Sequence, residues 1–424
     1  MSERRTAVAV LGDIIEGGAY ANLRLKSACE GLPSDGAKRL TALVYTTLDH
    51  LYPIDYYIGQ FCQSRPKPVI RNVLRLGICE LLYMRVPTYA AVNAYADLTK
   101  ELGKKDLAGF VNAVLRRVDR ERDSLPVPEG TAAERLSFTF SYPLWLVQMW
   151  IADYGEAFTE ALLQSPAGKP EVRAQYPYTA QALAAALPVP SCPGQWDPNC
   201  LVLESGLDVA ALPLFQEGRM TVQSQSAMLA CRALGDMAGK RVLDACAAPG
   251  GKSAYIASLS RNQTKLTCWE LHEHRLTLLT KTLERLHVQA DVLQKDAAVY
   301  DPVYQDGFDA VLVDAPCSGL GQAGDKPDIR YQKTDGDIGA LADIQKTLLH
   351  VCARYVKPGG VLLYATCTVS RRENEEQIHA FLADHPTFQL EEMPLPMEND
   401  GMLQLFPHLH GTDGFFMGRL KRCT

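Results

Sequence analysis

The stretch Val242-Leu243-Asp244-Ala245-Cys246-Ala247-Ala248-Pro249-Gly250-Gly251-Lys252 sets the architecture. An apolar run ending in an acid, then small residues and two glycines, then the apolar segment Ser253 to Leu259, predicts a strand, a tight turn and a helix. Such a turn brings backbone amides to a ligand at the helix N-terminus, outside the carboxyl end of the strand. It is not G-x-G-x-x-G, and Pro249 disfavours the pyrophosphate contact of an NAD site. A P-loop is excluded because Cys246, five positions before Gly251, stands where glycine is required. About 26 residues on, a second strand ends in Glu270, placed to bind ribose hydroxyls, so a nucleoside-bearing cofactor is expected. Asp296, past a third strand, is a candidate acceptor for an adenine amino group.

Downstream, Lys265 to Trp269, Asp291 to Leu293, Ala310 to Val313 and Gly360 to Ala365 alternate with helical segments at Leu271 to Leu286 and Ile338 to Val356. This alternation predicts a doubly wound, Rossmann-like α/β sheet with parallel strands. Two of its strands run into Asp314-Ala315-Pro316-Cys317-Ser318-Gly319 and Tyr364-Ala365-Thr366-Cys367-Thr368. Both ends face the crevice of the cofactor turn, so Cys317 and Cys367 are expected to converge although they lie 50 residues apart. The other ten cysteines are expected to pack; none forms C-x-x-C, and no metal site is expected. No signal-type apolar segment and no run of 18 apolar residues occurs, so a cytoplasmic chain with reduced thiols and no membrane span is expected.

Upstream, Arg5 to about Arg122 has apolar residues at helical spacing, with breaks at Gly31-Leu32-Pro33, Arg65 to Pro68 and Val86-Pro87, and reads as an all-α module. Leu125 to about Gly218 is proline-rich and mixed. Three domains follow as an expectation: 1–128 helical, 129–218 a small mixed α/β connector, and 219–424 the sheet domain. The composition, 47% hydrophobic and 22% charged, is that of a globular protein. The net charge of -6 argues by itself against a nucleic-acid partner, but residues 1–125 hold 18 Lys plus Arg against 14 Asp plus Glu. The helical module is therefore mildly basic, at about +4, and the remainder carries about -10.

Asp244 to Lys252, Asp314 to Gly319 and Thr366-Cys367-Thr368 match D-x-C-A-A-P-G-G-K, D-A-P-C-S-G and T-C-[ST], and on these motifs the chain resembles the cytosine-5 RNA methyltransferase family. The helical module resembles the antitermination factor NusB. Over its full length the chain is similar to the bacterial members that act on small-subunit (16S) ribosomal RNA, including at Tyr142 to Val147, Val222 to Ser226, Pro327 to Arg330 and Asp413 to Phe416. The resemblance implies a class I methyltransferase domain with S-adenosylmethionine as cofactor. It would be held by Cys246, Ala247, Ala248, Pro249, Gly250, Gly251 and Lys252, with Glu270, Asp296 and Asp314. It also implies a NusB-like RNA-binding domain, ribosomal RNA as partner, and a monomer.

Carbon 5 of cytosine is a weak nucleophile, and a thiolate added to carbon 6 activates it. The resemblance assigns that thiolate to Cys367 and release of the product to Cys317. A thiol of ordinary pKa about 8.5 is only slightly ionised at neutral pH, so Lys252 is a candidate source of positive potential. Asp314, protonated or sharing a proton with ring nitrogen 3, would compensate charge on the base. Arg71, Arg75, Arg116, Arg117 and Arg120 are candidate phosphate contacts. The chain departs from the family at Gln322-Ala323-Gly324-Asp325, where relatives carry arginines, and at Val172-Arg173-Ala174-Gln175, where they tend to read Leu-Arg-Val-Asn. Two alternatives stay open: the same reaction on transfer RNA, and a non-catalytic RNA-binding assembly factor.

Overall fold

The structure, a computed structural model, describes residues 2–204 and 206–423. The chain forms two compact units, one of residues 1–164 with 323–333, the other of 165–322 with 334–424.

In the first unit, helices from Glu3–Ile15 to Ala108–Arg120 enclose an apolar core that includes Leu11, Ile14, Val73, Leu76 and Leu115, with Phe138 packed against it. Apolar residues three and four apart make the buried stripes, and Pro68 starts the central helix Pro68–Leu82 where no intrahelical N–H is needed. Residues 132–163, expected in the connector, are helices that cluster with this unit, with Phe138 edge-on to Tyr56 and Tyr57. Proline content misplaced that boundary because Pro143 stands at a helix start rather than in a linker.

Residues 323–333 also fold with the helical unit. The Asp328 carboxylate accepts from the Ala21 N–H at 3.1 Å, and the Tyr331 hydroxyl donates to the Leu48 carbonyl at 2.7 Å. Arg330 lies over the Tyr142 ring and donates to the Ala323 carbonyl at 2.8 Å. Pro327-Asp328-Ile329-Arg330 is thereby a packing motif, and the altered residue Ala323 is buried within it.

The second unit begins with a four-stranded antiparallel sheet of β1 (Glu171–Ala174), β2 (Ser191–Pro193), β3 (Cys200–Leu203) and β4 (Met220–Val222), in the order β2-β3-β1-β4. Val172, Leu201 and Met220 form its core with Leu183. Arg173 is wholly buried, stacked on the Tyr255 ring, and donates to the Gln223 and Gln175 side-chain oxygens at 2.5 Å each. Burial pulls its guanidinium down to about 10. Its contact with the Gly251 carbonyl, at 3.4 Å, ties this sheet to the predicted cofactor turn.

The main sheet contains β5 (Arg241–Asp244), β6 (Lys265–Glu270), β7 (Asp291–Gln294), β8 (Phe308–Asp314), β9 (Val356–Thr366), β10 (Phe388–Leu390), β11 (Met402–Leu405) and β12 (Phe415–Arg422). Its order is β10-β12-β9-β8-β5-β6-β7, with β11 paired to β12. Strands β5 to β9 are parallel, as the alternation predicts. The C-terminal strands add antiparallel to β9 through β12 and make the sheet mixed. Order reverses between β5 and β8, which opens a crevice beyond their carboxyl ends.

Candidate active site

Residues 245–250 form the turn that leaves β5. The Ala245 and Ala247 amides donate to the Leu312 and Trp269 carbonyls, each at 2.9 Å, sewing the turn to its neighbouring strands. Gly250 has φ +105°, a left-handed conformation that favours glycine, and starts the helix Gly251–Leu259. A Cβ there would also press on Leu279 at 3.0 Å.

Four acids stand along the sheet's carboxyl edge. Glu270, buried at the end of β6, accepts from the His272 amide at 2.9 Å and faces Arg275 at 3.6 Å. Asp296, beyond β7, accepts from the Ala298 amide at 2.9 Å. Asp314, at the end of β8, accepts from the Lys252 ammonium at 2.7 Å. Burial opposes the Lys252 charge, but the charge and hydrogen bond of Asp314 outweigh it and hold the ammonium above its ordinary range. A rigid small-residue turn, a helix N-terminus and acids on adjacent strand ends fit the hydroxyl-rich, cationic chemistry of S-adenosylmethionine.

Asp244, at the end of β5, is buried and accepts from the Ser253 hydroxyl at 2.5 Å. Burial, the largest influence, pushes its carboxyl up to about 7. The folded chain thus keeps a proton that the unfolded chain loses near pH 4, so this group's contribution to stability falls as pH rises from about 4 to about 7, by up to ~1.4 kcal/mol per unit. Asp244→Asn should flatten that limb of the melting temperature against pH. Identical slopes for variant and parent would refute the assignment.

Strands β8 and β9 pair in the register Asp314 to Ala365, which brings the loops beyond them together. The Cys317 and Cys367 sulfurs lie 3.2 Å apart, the convergence expected from the strand order. The bond to Cys367, and then burial, hold the Cys317 thiol well above its ordinary range. Gly321 donates its N–H to the Cys367 carbonyl at 3.1 Å and accepts at its own carbonyl from Gly414 at 2.9 Å. A Cβ on Gly321 would meet the Gly414 oxygen at 1.8 Å, and one on Gly414 would meet the Val369 side chain at 2.6 Å and the Gly321 Cα at 2.7 Å, which explains the glycine of Asp413-Gly414-Phe415-Phe416.

Of the remaining cysteines, Cys79, Cys200, Cys231, Cys268 and Cys352 are buried, whereas Cys192 and Cys423 are exposed. Cys246, within the turn, has a thiol driven upward chiefly by burial. Sequence reasoning overlooked Ser318, Gln345, Thr368, Glu373 and Asn374, which surround the cysteine loops. The run Arg371-Arg372-Glu373-Asn374-Glu375, four residues after Cys367, was the available signal. The basic candidates fare unevenly. Arg75 is buried against the Asp55 carboxylate at 2.7 and 2.5 Å, and Arg71 pairs with Glu16 at 3.2 Å, so both are occupied within the fold. Arg116, Arg117 and Arg120 lie on an exposed helix face, the last two sharing Glu121. Sequence spacing alone could not separate a buried ion pair from a solvent-facing guanidinium.

Residues 232–421 match the family described as 16S rRNA methyltransferase RsmB/F, and residues 1–120 match the NusB family. The "Probable ribosomal RNA small subunit methyltransferase B" of Bacillus subtilis (strain 168) is 36% identical over 99% of each chain. The ribosomal RNA small subunit methyltransferase B of Shewanella oneidensis is 32% identical over the whole of both chains. Among solved structures, PH0851 superposes with TM-score 0.84 over 99% of each chain at 24% identity. NSun6 from Pyrococcus horikoshii, solved with SFG, gives TM-score 0.58 at 18% identity, over 65% of this chain and 97% of its own. The fold is thus shared with known proteins, and by full-length identity the chain belongs to the ribosomal RNA small subunit methyltransferase B family.

Proposed function

We propose that the protein methylates carbon 5 of a cytosine in small-subunit ribosomal RNA through a covalent bond between Cys367 and the base. The observation that carries this reading is the pair of thiols 3.2 Å apart at adjacent strand ends, beside the Lys252–Asp314 pair. When bound, S-adenosylmethionine supplies an electrophilic methyl group. Residues 246–252, Glu270, Asp296 and Asp314 would hold it.

The Cys317 thiol is held above its ordinary range beside Cys367, and the Lys252 ammonium adds positive potential at Cys367, so Cys367 is read as the sulfur that becomes thiolate. That thiolate adds to carbon 6 of a cytosine drawn out of its stack, while Asp314 shares a proton with ring nitrogen 3. Once carbon 5 is methylated, Cys317 gives its own proton to solvent and takes the carbon-5 proton; the electron pair of that C–H bond re-forms the ring double bond and expels Cys367 as thiolate, while the proton shared at ring nitrogen 3 returns to Asp314. The relatives named for ribosomal RNA, together with the NusB match, support a ribosomal substrate.

Deproteinised small-subunit ribosomal RNA and transfer RNA, each incubated with methyl-tritiated cofactor and the full chain, give the test. Label is expected in ribosomal RNA only, and within 5-methylcytosine after digestion to nucleosides. Label in transfer RNA alone reassigns the substrate, label in another nucleoside rejects carbon-5 chemistry, and no label in either RNA favours an assembly factor.

A further inference from the structure

Glu373 ends the single 3₁₀ turn Arg371–Glu373 and is completely buried. Its carboxyl group receives the Ser318 amide at 2.8 Å, the Ser318 hydroxyl at 2.6 Å, the Gln345 amide at 3.1 Å and the Thr368 hydroxyl at 3.2 Å. These four donors are neutral. Gln345 also donates to the Pro316 carbonyl at 2.9 Å. Pro316 and Ser318 flank Cys317 in the chain, and Thr368 follows Cys367. The neighbouring Asn374, equally buried, accepts from the Thr366 hydroxyl at 2.6 Å and donates to the Thr368 carbonyl at 3.1 Å. Both residues flanking each cysteine are therefore tied, directly or through one amide, to Glu373-Asn374.

We propose that Glu373 is a positioning residue that locks the Cys317 and Cys367 loops in one register and so fixes the spacing of the two sulfurs. A buried carboxyl in the middle of a protein is costly unless fully hydrogen-bonded, and here three of the four bonds come from the two loops while the fourth comes from Gln345, which itself holds the Pro316 carbonyl. The Ser318 and Thr368 hydroxyls also meet each other at 2.8 Å, so the two loops join where Glu373 holds both. The charge of Glu373 also opposes ionisation of Cys317, in the same direction as the bond to Cys367 and burial. One group thus holds the separation of the thiols and adds to the influences that keep the proton on Cys317. The proposal rests on the reading of Cys367 as nucleophile and Cys317 as proton carrier.

The test uses full-length Glu373→Gln, which keeps shape but removes charge, and Ser318→Ala, which removes one donor to Glu373 together with the Ser318–Thr368 contact at 2.8 Å. Methylation of ribosomal RNA is measured alongside iodoacetamide alkylation of Cys317 and Cys367 across pH, resolved by peptide mass spectrometry. Glu373→Gln is expected to lower kcat by about 10²-fold, the cost of a misplacement of about 1 Å, with KM for S-adenosylmethionine unchanged. The pH midpoint for Cys317 alkylation should fall. Ser318→Ala should shift both readouts the same way by less. Unchanged kcat and midpoints in both variants overturn the proposal. So does a loss of activity matched by lost cofactor binding with unmoved midpoints, which marks a merely structural residue. If Glu373→Gln does not fold, Ser318→Ala alone decides by the same criteria. Alkylation needs no RNA, so retained activity in Cys367→Ala would reject the nucleophile assignment while the midpoints still decide what Glu373 holds.

Discussion

Cys367→Ala is expected to abolish methyl transfer and covalent RNA adduct together, whereas Cys317→Ala is expected to accumulate adduct while turnover stops. Removal of a nucleophile from a unit of interdependent groups costs on the order of 10⁴-fold or more in kcat. The two outcomes differ because the sulfurs, although 3.2 Å apart, are not equivalent. In the proposed mechanism Cys317 is the proton carrier, in keeping with a thiol held above its ordinary range by Cys367, by burial and by Glu373. Cys367 lies directly beyond β9, with its carbonyl fixed by Gly321 and with the Lys252 charge among its neighbours. Loss of Cys317 leaves addition to carbon 6 possible but removes the group assigned to the carbon-5 proton. Denaturing gels of each variant with labelled ribosomal RNA read the adduct directly. Normal turnover by Cys317→Ala, or any residual adduct with Cys367→Ala, would reverse or remove these roles.

The β5 turn and the ends of β8 and β9 were legible because strand order converts motif order into spatial convergence. Cys317 and Cys367 could be placed in one crevice without any knowledge of side-chain packing. Three features were not legible, each for a physical reason. Residues 323–333 leave the second unit and fold with the helical one, and eleven residues whose one regular piece is the four-residue helix Ile329–Gln332 carry no periodicity that records which core they join. The antiparallel addition of β10 to β12 lies beyond the parallel alternation, in segments as short as Phe388–Leu390. Glu373 looks in sequence like part of a charged surface run, because Arg371, Arg372 and Glu375 surround it. Its complete burial follows only from the way the 3₁₀ turn directs it beneath the cysteine loops. The charge split was informative in aggregate but not by residue: Arg71 and Arg75 contribute to the basic balance while serving internal carboxylates.

Lys252→Met and Asp314→Asn should each lower kcat by about 10²- to 10³-fold, the usual cost of removing one preorganised electrostatic group. Their combination should cost little more than either alone. The two groups meet at 2.7 Å with side chains only 16% and 26% exposed, so each desolvates the other's partner and neither is independent. Lys252 has a raised folded value, so its ion pair is fully present below the ordinary lysine range and is lost only as pH rises through the still higher folded value. No limb of the activity profile near neutrality should therefore come from Lys252. Its loss should instead raise the pH at which Cys367 alkylates, because a positive charge that acts on that thiol is gone. Asp314→Asn should leave that midpoint lower or unchanged, since it frees the ammonium from its carboxylate, yet it still loses the group placed to share a proton with the base. A raised Cys367 midpoint in Lys252→Met alone, under two equally damaging substitutions, separates supply of potential from handling of the pyrimidine proton. Strictly multiplicative losses in the double variant, with Cys367 alkylation alike in both single variants, would show that the pair only holds the turn to β8.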